Sequence, residues 1–269
     1  MDAVRARALE LSGVFNARDL GGLPAADGCE VAAGRLYRAE VVTDAADPGI
    51  HSSRADVDIA AVAALGVRTV IDLRGPHEAQ TTPSAWAEMT GAQSALSLPI
   101  EDGGHGAPRD YVEMLLTGRL ERFTAEDMAN HYIQVLEARA EVFGIAVEAI
   151  AKGAPALVHC TEGKDRTGLL IALVLGALGT PAPDIVEDYA LTSVWRPDRA
   201  RAYASHFEAA GVPLESFRVL YESPAISMRM AIDHLDRQYG SVAEYLSRRG
   251  GVDEGTLEAL RESLLVPVD

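Results

Sequence analysis

Cys160 stands six positions before Arg166 in ALVHCTEGKDRTGLLIAL (residues 156–173), where a thiol, two glycines, a lysine and an arginine are packed between two apolar runs. One run stops at the cysteine and the next starts near Arg166, a pattern that predicts a strand, a short loop and a helix. Free N–H groups at such a helix start, with the helix dipole, favour an anion. Gly163 lets successive N–H groups converge, and the planar Arg166 guanidinium matches two oxygens of one tetrahedral oxyanion. Thr161, Glu162, Gly163, Lys164, Asp165 and Arg166 are therefore the expected phosphate-binding set. The field that holds a phosphate also stabilises a thiolate, which makes Cys160 a candidate nucleophile near neutral pH. His159 is placed to orient the loop backbone, and the Thr167 hydroxyl to reach the sulfur as it leaves. The plainer alternative is a buried structural cysteine beside a surface arginine. The Cys-x5-Arg-Thr spacing, with a strand before it and a helix after, argues against that.

Transfer of a phosphoryl group through sulfur needs a proton for the leaving oxygen and then water attack on the phosphocysteine. Two carboxylates qualify as the acid. Asp72 closes VRTVIDLRG (67–75), an apolar run whose carboxyl end shares an edge with Cys160 if the two strands are parallel; an ion pair with Arg74 or Arg18 is the competing use. Asp165 lies inside the loop, where capping the helix or bracing the loop competes. The stretch Trp195-Arg196-Pro197-Asp198 is read as a helix start. Lys164 could meet a second phosphate on the substrate or stand solvated. Cys29 is a candidate to trap an oxidised Cys160 as a disulfide, and Glu162 adds a negative charge beside the phosphate site.

The elements that must position these groups alternate. A turn at Asp27-Gly28 predicts an N-terminal hairpin or edge strands within 14–42, and Arg54 to Leu65 follows a helical period up to Gly66. VRTVIDLRG and SALSLPI (94–100) read as strands, 101–123 as a polar, Gly-rich mobile loop with a helical piece at Tyr111–Leu116. Thr124 with Asp127 caps one long helix through Ile150. An α/β core over 54–180 is followed over 183–265 by helices broken at Pro197, Pro213, Pro224, Gly240 and Gly250-Gly251. The expected class is a central, mostly parallel sheet flanked by helices, with a C-terminal helical extension or lid, all in one domain spanning 1–269.

Composition limits the partners. The 269 residues carry a net charge of −16 spread along the chain, which disfavours nucleic acid and anionic membranes. Only two lysines accompany abundant arginine and alanine, the codon bias of a GC-rich bacterial genome. Two cysteines make no disulfide framework, and no Cys/His spacing suits a metal, so no metal or cofactor is expected and a reducing cytoplasm is the expected compartment. The first 22 residues lack the apolar core of a signal peptide, and no apolar run is long enough for integral membrane association.

HCTEGKDRTG (159–168) resembles the phosphate loop of the atypical bacterial group of cysteine-dependent protein tyrosine phosphatases. NARDLGG (16–22), GRLYRAE (34–40), VIDLRG (70–75), EDYALTS (187–193) and YGSVAEYL (239–246) are similar to that group's other segments, in its order, so the likeness covers nearly the whole chain. It implies a tyrosine phosphatase-like fold and hydrolysis of phosphotyrosine, phosphoserine, phosphothreonine or phosphoinositides, with a phosphorylated protein or phosphoinositide as partner and inorganic phosphate in the loop. It also implies an important aspartate at Asp165, and braces of the sheet edge at Arg18 and Asp19. A rhodanese-like sulfurtransferase and a phosphate-binding pseudo-phosphatase are the alternatives; the Asp-Arg-Thr-Gly tail argues against the first, and Glu162 motivates the second.

Overall fold

VRTVIDLRG and PALVHC fold as the expected strands, and they lie side by side. In the computed structural model of the chain, which describes residues 7–9, 11–44, 52–101, 108–196 and 198–268, the strands are β1 (Arg18–Asp19), β2 (Cys29–Val31), β3 (Leu36–Ala39), β4 (Val42–Thr43), β5 (Ser52–Ser53), β6 (Thr69–Asp72), β7 (Ser94–Ser97), β8 (Ala156–His159) and β9 (Leu265–Pro267). The main sheet has the order β1-β3-β8-β6-β7. Its members β3, β8, β6 and β7 are parallel, and β1 is an antiparallel edge. The fold is the α/β class expected, with a mostly parallel sheet.

Register decides where chemistry can happen. His159 pairs with Ala39 on one side and Asp72 on the other, and Asp72 with Ser97, so four strands end on one line. Cys160 and Glu40 therefore step off the same carboxyl edge, where parallel sheets hold ligands.

Alternation along the strands feeds two cores. Leu36, Ile71, Ala156 and Val158 face the larger one, beside the helices Ala125–Gly153 and Asp165–Ala177. Tyr37, Val70 and Leu157 face the smaller, closed by Val62, Trp86 and Met89. Both faces are covered, which is why ALVH is buried at every position.

The long helix begins at the expected cap: Thr124 Oγ1 accepts from the Asp127 amide at 3.1 Å and Asp127 Oδ2 accepts from the Thr124 amide at 2.8 Å. It runs Ala125–Gly153, with one irregular residue at Arg139, and the helices Ala225–Tyr239, Val242–Gly250 and Glu254–Leu264 pack along it. Pro213 and Pro224 precede helices and Gly240 and Gly251 end them, as expected; the break at Pro197 lies outside the described residues. No helix among the described residues is long and apolar enough to cross a membrane.

Local expectations hold in part. The Asp27-Gly28 turn closes the expected hairpin, with positive φ at both residues and residues 22–25 bonded to 29–31, and on its other side β2 also pairs antiparallel with β9 from the far end of the chain. A helix was expected at 265; the β-branched and proline residues of Leu265–Pro267 are instead captured by that edge. Arg54–Leu65 breaks into a 3₁₀ turn and the helix Ile59–Ala63, because Asp58 caps the amides of Ala60 and Ala61. Within 101–123 the helix is Pro108–Leu116, and residues 102–107 lie outside the described residues.

At Gly144 the long helix lies close against the C-terminal helices: a Cβ there would overlap the Gly250 carbonyl. Gly144→Ala is expected to cost about 1–3 kcal/mol through overpacking, read as a lower midpoint in urea unfolding, with activity per folded molecule unchanged.

Candidate active site

β8 stops at His159, Cys160 follows with 3 % of its surface exposed, and the helix Asp165–Ala177 starts five residues later. Between them the loop turns its carbonyls outward one after another. The Cys160 carbonyl faces His159 Nδ1 at 3.1 Å. The Val41 amide donates to Thr161 O at 3.2 Å. Asn16 Nδ2 donates to Glu162 O at 3.2 Å and Gly163 O at 2.9 Å. Arg38 Nη2 donates to Gly163 O at 2.7 Å and lies 3.4 Å from Lys164 O. In a planar trans peptide the N–H points opposite the C=O, so the amides of Thr161 to Asp165 turn away from those donors. Gly163 is required twice over: its φ is +62°, and a Cβ would overlap the Ala39 carbonyl.

Two of those donors, Arg38 directly and Asn16 through Arg18, are tied to one buried carboxylate. Asp188 accepts from Arg18 Nε at 2.9 Å, Arg38 Nη1 at 2.7 Å and Arg7 Nη1 at 3.2 Å. Arg18 in turn donates to Asn16 Oδ1 at 2.5 Å. Burial pushes the Asp188 carboxyl up, but Arg18, Arg38 and Arg7 overcome it and leave it at about 2. Three of the segments singled out in the sequence, around Asn16-Ala17-Arg18, Arg38 and Asp188, thus meet beneath the loop. Asp19 accepts from the amides of Gly21 and Gly34, bracing the sheet edge as expected.

Arg166 is met by a residue the sequence reading missed. Glu78, from the helix Pro76–Thr81, accepts from Arg166 Nη1 at 2.6 Å and Nη2 at 2.8 Å, and from the Thr161 hydroxyl at 2.5 Å. Burial would raise the Glu78 carboxyl; the Arg166 bonds and charge, with Thr161, bring it down to about 2. Its only sequence signal is its place in RGPHE, just past the β6 edge.

Glu162 is answered by a second missed pair. Its carboxylate takes Arg196 Nη1 at 2.5 Å and lies 3.4 Å from Arg199 Nη1, and both guanidiniums also reach the buried Glu40, at 3.2 and 3.3 Å. Burial acts to raise Glu162, but Arg196, Arg199 and Lys164 hold it at about 2. Burial raises Glu40 above the ordinary range despite Arg196, Ser52 and Arg199. The stretch read as a helix start does cap one, Asp198 accepting from the Arg201 amide, while its Arg196 and the helix's first residue, Arg199, reach the loop at Glu162.

The two acid candidates stand differently. Asp72 is held by Arg74 through Nε at 2.9 Å and Nη2 at 2.6 Å, and lies 3.8 Å from His159 Nε2. Burial tends to raise Asp72, and charged neighbours bring it below its ordinary value. The His159 charge, and then the hydrogen bonds and charge of Arg74, act downward on Asp72, while burial lowers His159 itself. Asp165 bonds to Tyr132 Oη and lies 3.4 Å from Lys164 Nζ.

Other expectations are sorted by contact. His159 meets the loop backbone: Nδ1 faces the Cys160 carbonyl and so carries the proton, and Nε2 faces Ser84 Oγ at 3.2 Å. Lys164 is neither solvated nor turned to a substrate. It is buried, with Nζ donating to Leu220 O at 2.6 Å and Glu222 O at 3.0 Å, and so ties the helical extension to the loop. The Thr167 hydroxyl is buried and makes no hydrogen bond to the sulfur or to any other described group. Cys29 is not placed to pair with Cys160. Its strand adjoins Ala26, bonded to Leu178 beyond the far end of the Asp165–Ala177 helix, about 20 Å along that axis, whereas a disulfide needs Cα atoms within about 7 Å.

No group of three or more His, Cys, Asp or Glu among the described residues could hold a metal. Thiol, converging amides and a guanidinium make a donor set for a tetrahedral oxyanion.

The chain is similar to several known proteins. The sequence model of a tyrosine phosphatase family matches residues 9–266. A triple specificity protein phosphatase, PtpB, of Mycobacterium tuberculosis is 27% identical over 295 residues, covering 95% of this chain and 98% of its own. A tyrosine-protein phosphatase of Nostoc commune is 28% identical over 219 residues, covering 78% and 70%. The solved structure of P. aeruginosa TpbA aligns at TM-score 0.30 and 19% identity over 71% of this chain and 89% of its own.

Asp188→Asn is expected to cost about 3–5 kcal/mol, as when one partner of a buried ion pair is removed, measured by urea unfolding at pH 7. Glu78, Glu162 and Asp188 sit at about 2, below the roughly 4 of an unfolded carboxyl. Their stabilisation is therefore present above about pH 4 and is lost as pH falls towards 2. The urea midpoint should fall across that window, with a slope shallower by about one proton in Glu78→Gln.

Proposed function

The chain belongs to the tyrosine phosphatase family, and on that premise we propose that it hydrolyses phosphomonoesters through a phosphocysteine on Cys160. The observation that carries the reading is the run of outward-held carbonyls from Cys160 to Lys164, which leaves the amides to face an anion beside the thiol. The Cys160 sulfur attacks phosphorus; the S–P bond forms as the P–O ester bond breaks, and Asp165 gives its proton to the leaving oxygen. Water then attacks phosphorus, Asp165 takes its proton, and the thiolate leaves with release of inorganic phosphate. The loop amides and Arg166 stabilise the equatorial oxygens in both steps. Asp165 is preferred to Asp72 as the acid because Arg74 occupies both oxygens of Asp72, whereas the side-chain contacts of Asp165 fall on Oδ1.

Substrate range follows the same reasoning. Phosphotyrosine is the first substrate proposed, with phosphoserine and phosphothreonine second; the Mycobacterium tuberculosis relative carries three specificities in its name. A phosphoinositide loses its best support, since the Lys164 ammonium is engaged by Leu220, Glu222 and Asp165. The pseudo-phosphatase reading loses its motive as well, because Arg196 and Arg199 neutralise Glu162. Two free thiols suit a reducing compartment, the cytoplasm.

An aryl phosphate assayed in chelator tests the proposal. Turnover is expected in the parent, none above background in Cys160→Ser, and a loss of about 10²–10³ in Arg166→Ala, on the scale of removing one transition-state donor. Turnover surviving in Cys160→Ser would overturn it. Phosphotyrosine, phosphoserine and phosphoinositide substrates assayed side by side then rank the range, phosphotyrosine being expected first.

A further inference from the structure

Asp165 is the one candidate acid whose two oxygens are unequally used. Tyr132 Oη donates to Oδ1, and Lys164 Nζ lies 3.4 Å from that same atom. Among the described residues no hydrogen bond is made to Oδ2, and the side chain is 28 % exposed. Tyr132 is fully buried in the long helix, and its hydroxyl meets that of Tyr189, also buried, at 2.6 Å, with the rings edge to face at 6.0 Å.

The direction of this chain is set by chemistry. A carboxylate only accepts, so Tyr132 must donate to it, and its one hydrogen being used, it must accept from Tyr189. Burial first, and then the Asp165 charge, push the Tyr132 hydroxyl well above its ordinary value of 10, so it remains a proton donor across the working range. Consecutive donors of this kind polarise one another.

We infer that Tyr132, backed by Tyr189, is a positioning residue for Asp165: by occupying Oδ1 it confines the transferable proton to Oδ2 and fixes the carboxyl at the end of the loop. The inference rests on the phosphocysteine reading with Asp165 as its acid. In the first step the Oδ2–H bond breaks and its proton joins the leaving oxygen as the P–O bond breaks. In the second, the proton of the attacking water goes to Oδ2 as the P–S bond breaks. One oxygen serves both steps because the other is held.

The test compares Tyr132→Phe, Tyr189→Phe and Asp165→Asn with the parent on aryl phosphates whose phenols span a range of acidity, with iodoacetamide alkylation of Cys160 as a readout independent of turnover. Asp165→Asn should steepen the dependence of kcat/KM on leaving-group basicity, as loss of a general acid does. Tyr132→Phe should steepen it in the same sense, with about a tenfold loss on the least acidic phenol, a part of the full effect of an acid, and little loss on the most acidic. Tyr189→Phe should do so more weakly, and it carries the test alone if Tyr132→Phe does not fold. Alkylation should match the parent in all three. Steepening in Asp165→Asn with equal losses on every phenol, or none, in the tyrosine variants would overturn the inference and leave the acid assignment standing. An unchanged dependence in Asp165→Asn would overturn both, while alkylation of Cys160 and turnover of the most acidic phenol still report on the phosphocysteine reading.

Discussion

The site depends on a carbonyl being held away from where a phosphate would sit. Five consecutive peptide groups after β8 would otherwise present a mixture of donors and acceptors to an incoming anion. Asn16, Arg38, Val41 and His159 remove the acceptors by bonding them from behind. The cost of burying so many polar groups is offset around Asp188, where three guanidiniums share one carboxylate and, among the described residues, Arg38 Nε is left without a hydrogen bond. An arrangement of this kind is rigid before any substrate arrives, which is what electrostatic preorganisation requires.

Charge is handled locally, against the net balance. The chain carries −16 overall, and yet arginines concentrate at this one edge: Arg38 behind the loop, Arg166 within it, Arg196 and Arg199 beside it. Each is paired with a carboxylate of fixed position, Asp188, Glu78, Glu162 or Glu40. Paired guanidiniums keep their orientation, and a planar fork is useful to an oxyanion only when its plane is set.

Legibility in the sequence followed distance along the chain. The strand, loop and helix around Cys160, the capped helix after Thr124 and the strand ending at Asp72 announce themselves within a few residues, through period, cap and turn chemistry. Glu78, Arg196 and Tyr132 could not be found this way, because each reaches the loop from 30 or more positions away and each type is common on helices for ordinary reasons. Lys164 misled for the same reason: a lysine in a phosphate loop suggests an anion, and only the position of Leu220 and Glu222 gives it other partners. β9 was hidden because a three-residue edge strand has no period to detect.

That edge strand bears on how the molecule is made. One side of residues 29–31 bonds to residues 22–25, but the other finds its partner at 265–267, and at a ribosome's pace of about 5–20 residues per second that side waits on the order of tens of seconds for it to be synthesised. Until then its unsatisfied amides and carbonyls face the crowded interior of the cell, a stretch of exposed backbone that a chaperone could shield and a neighbouring nascent chain could mistake for its own.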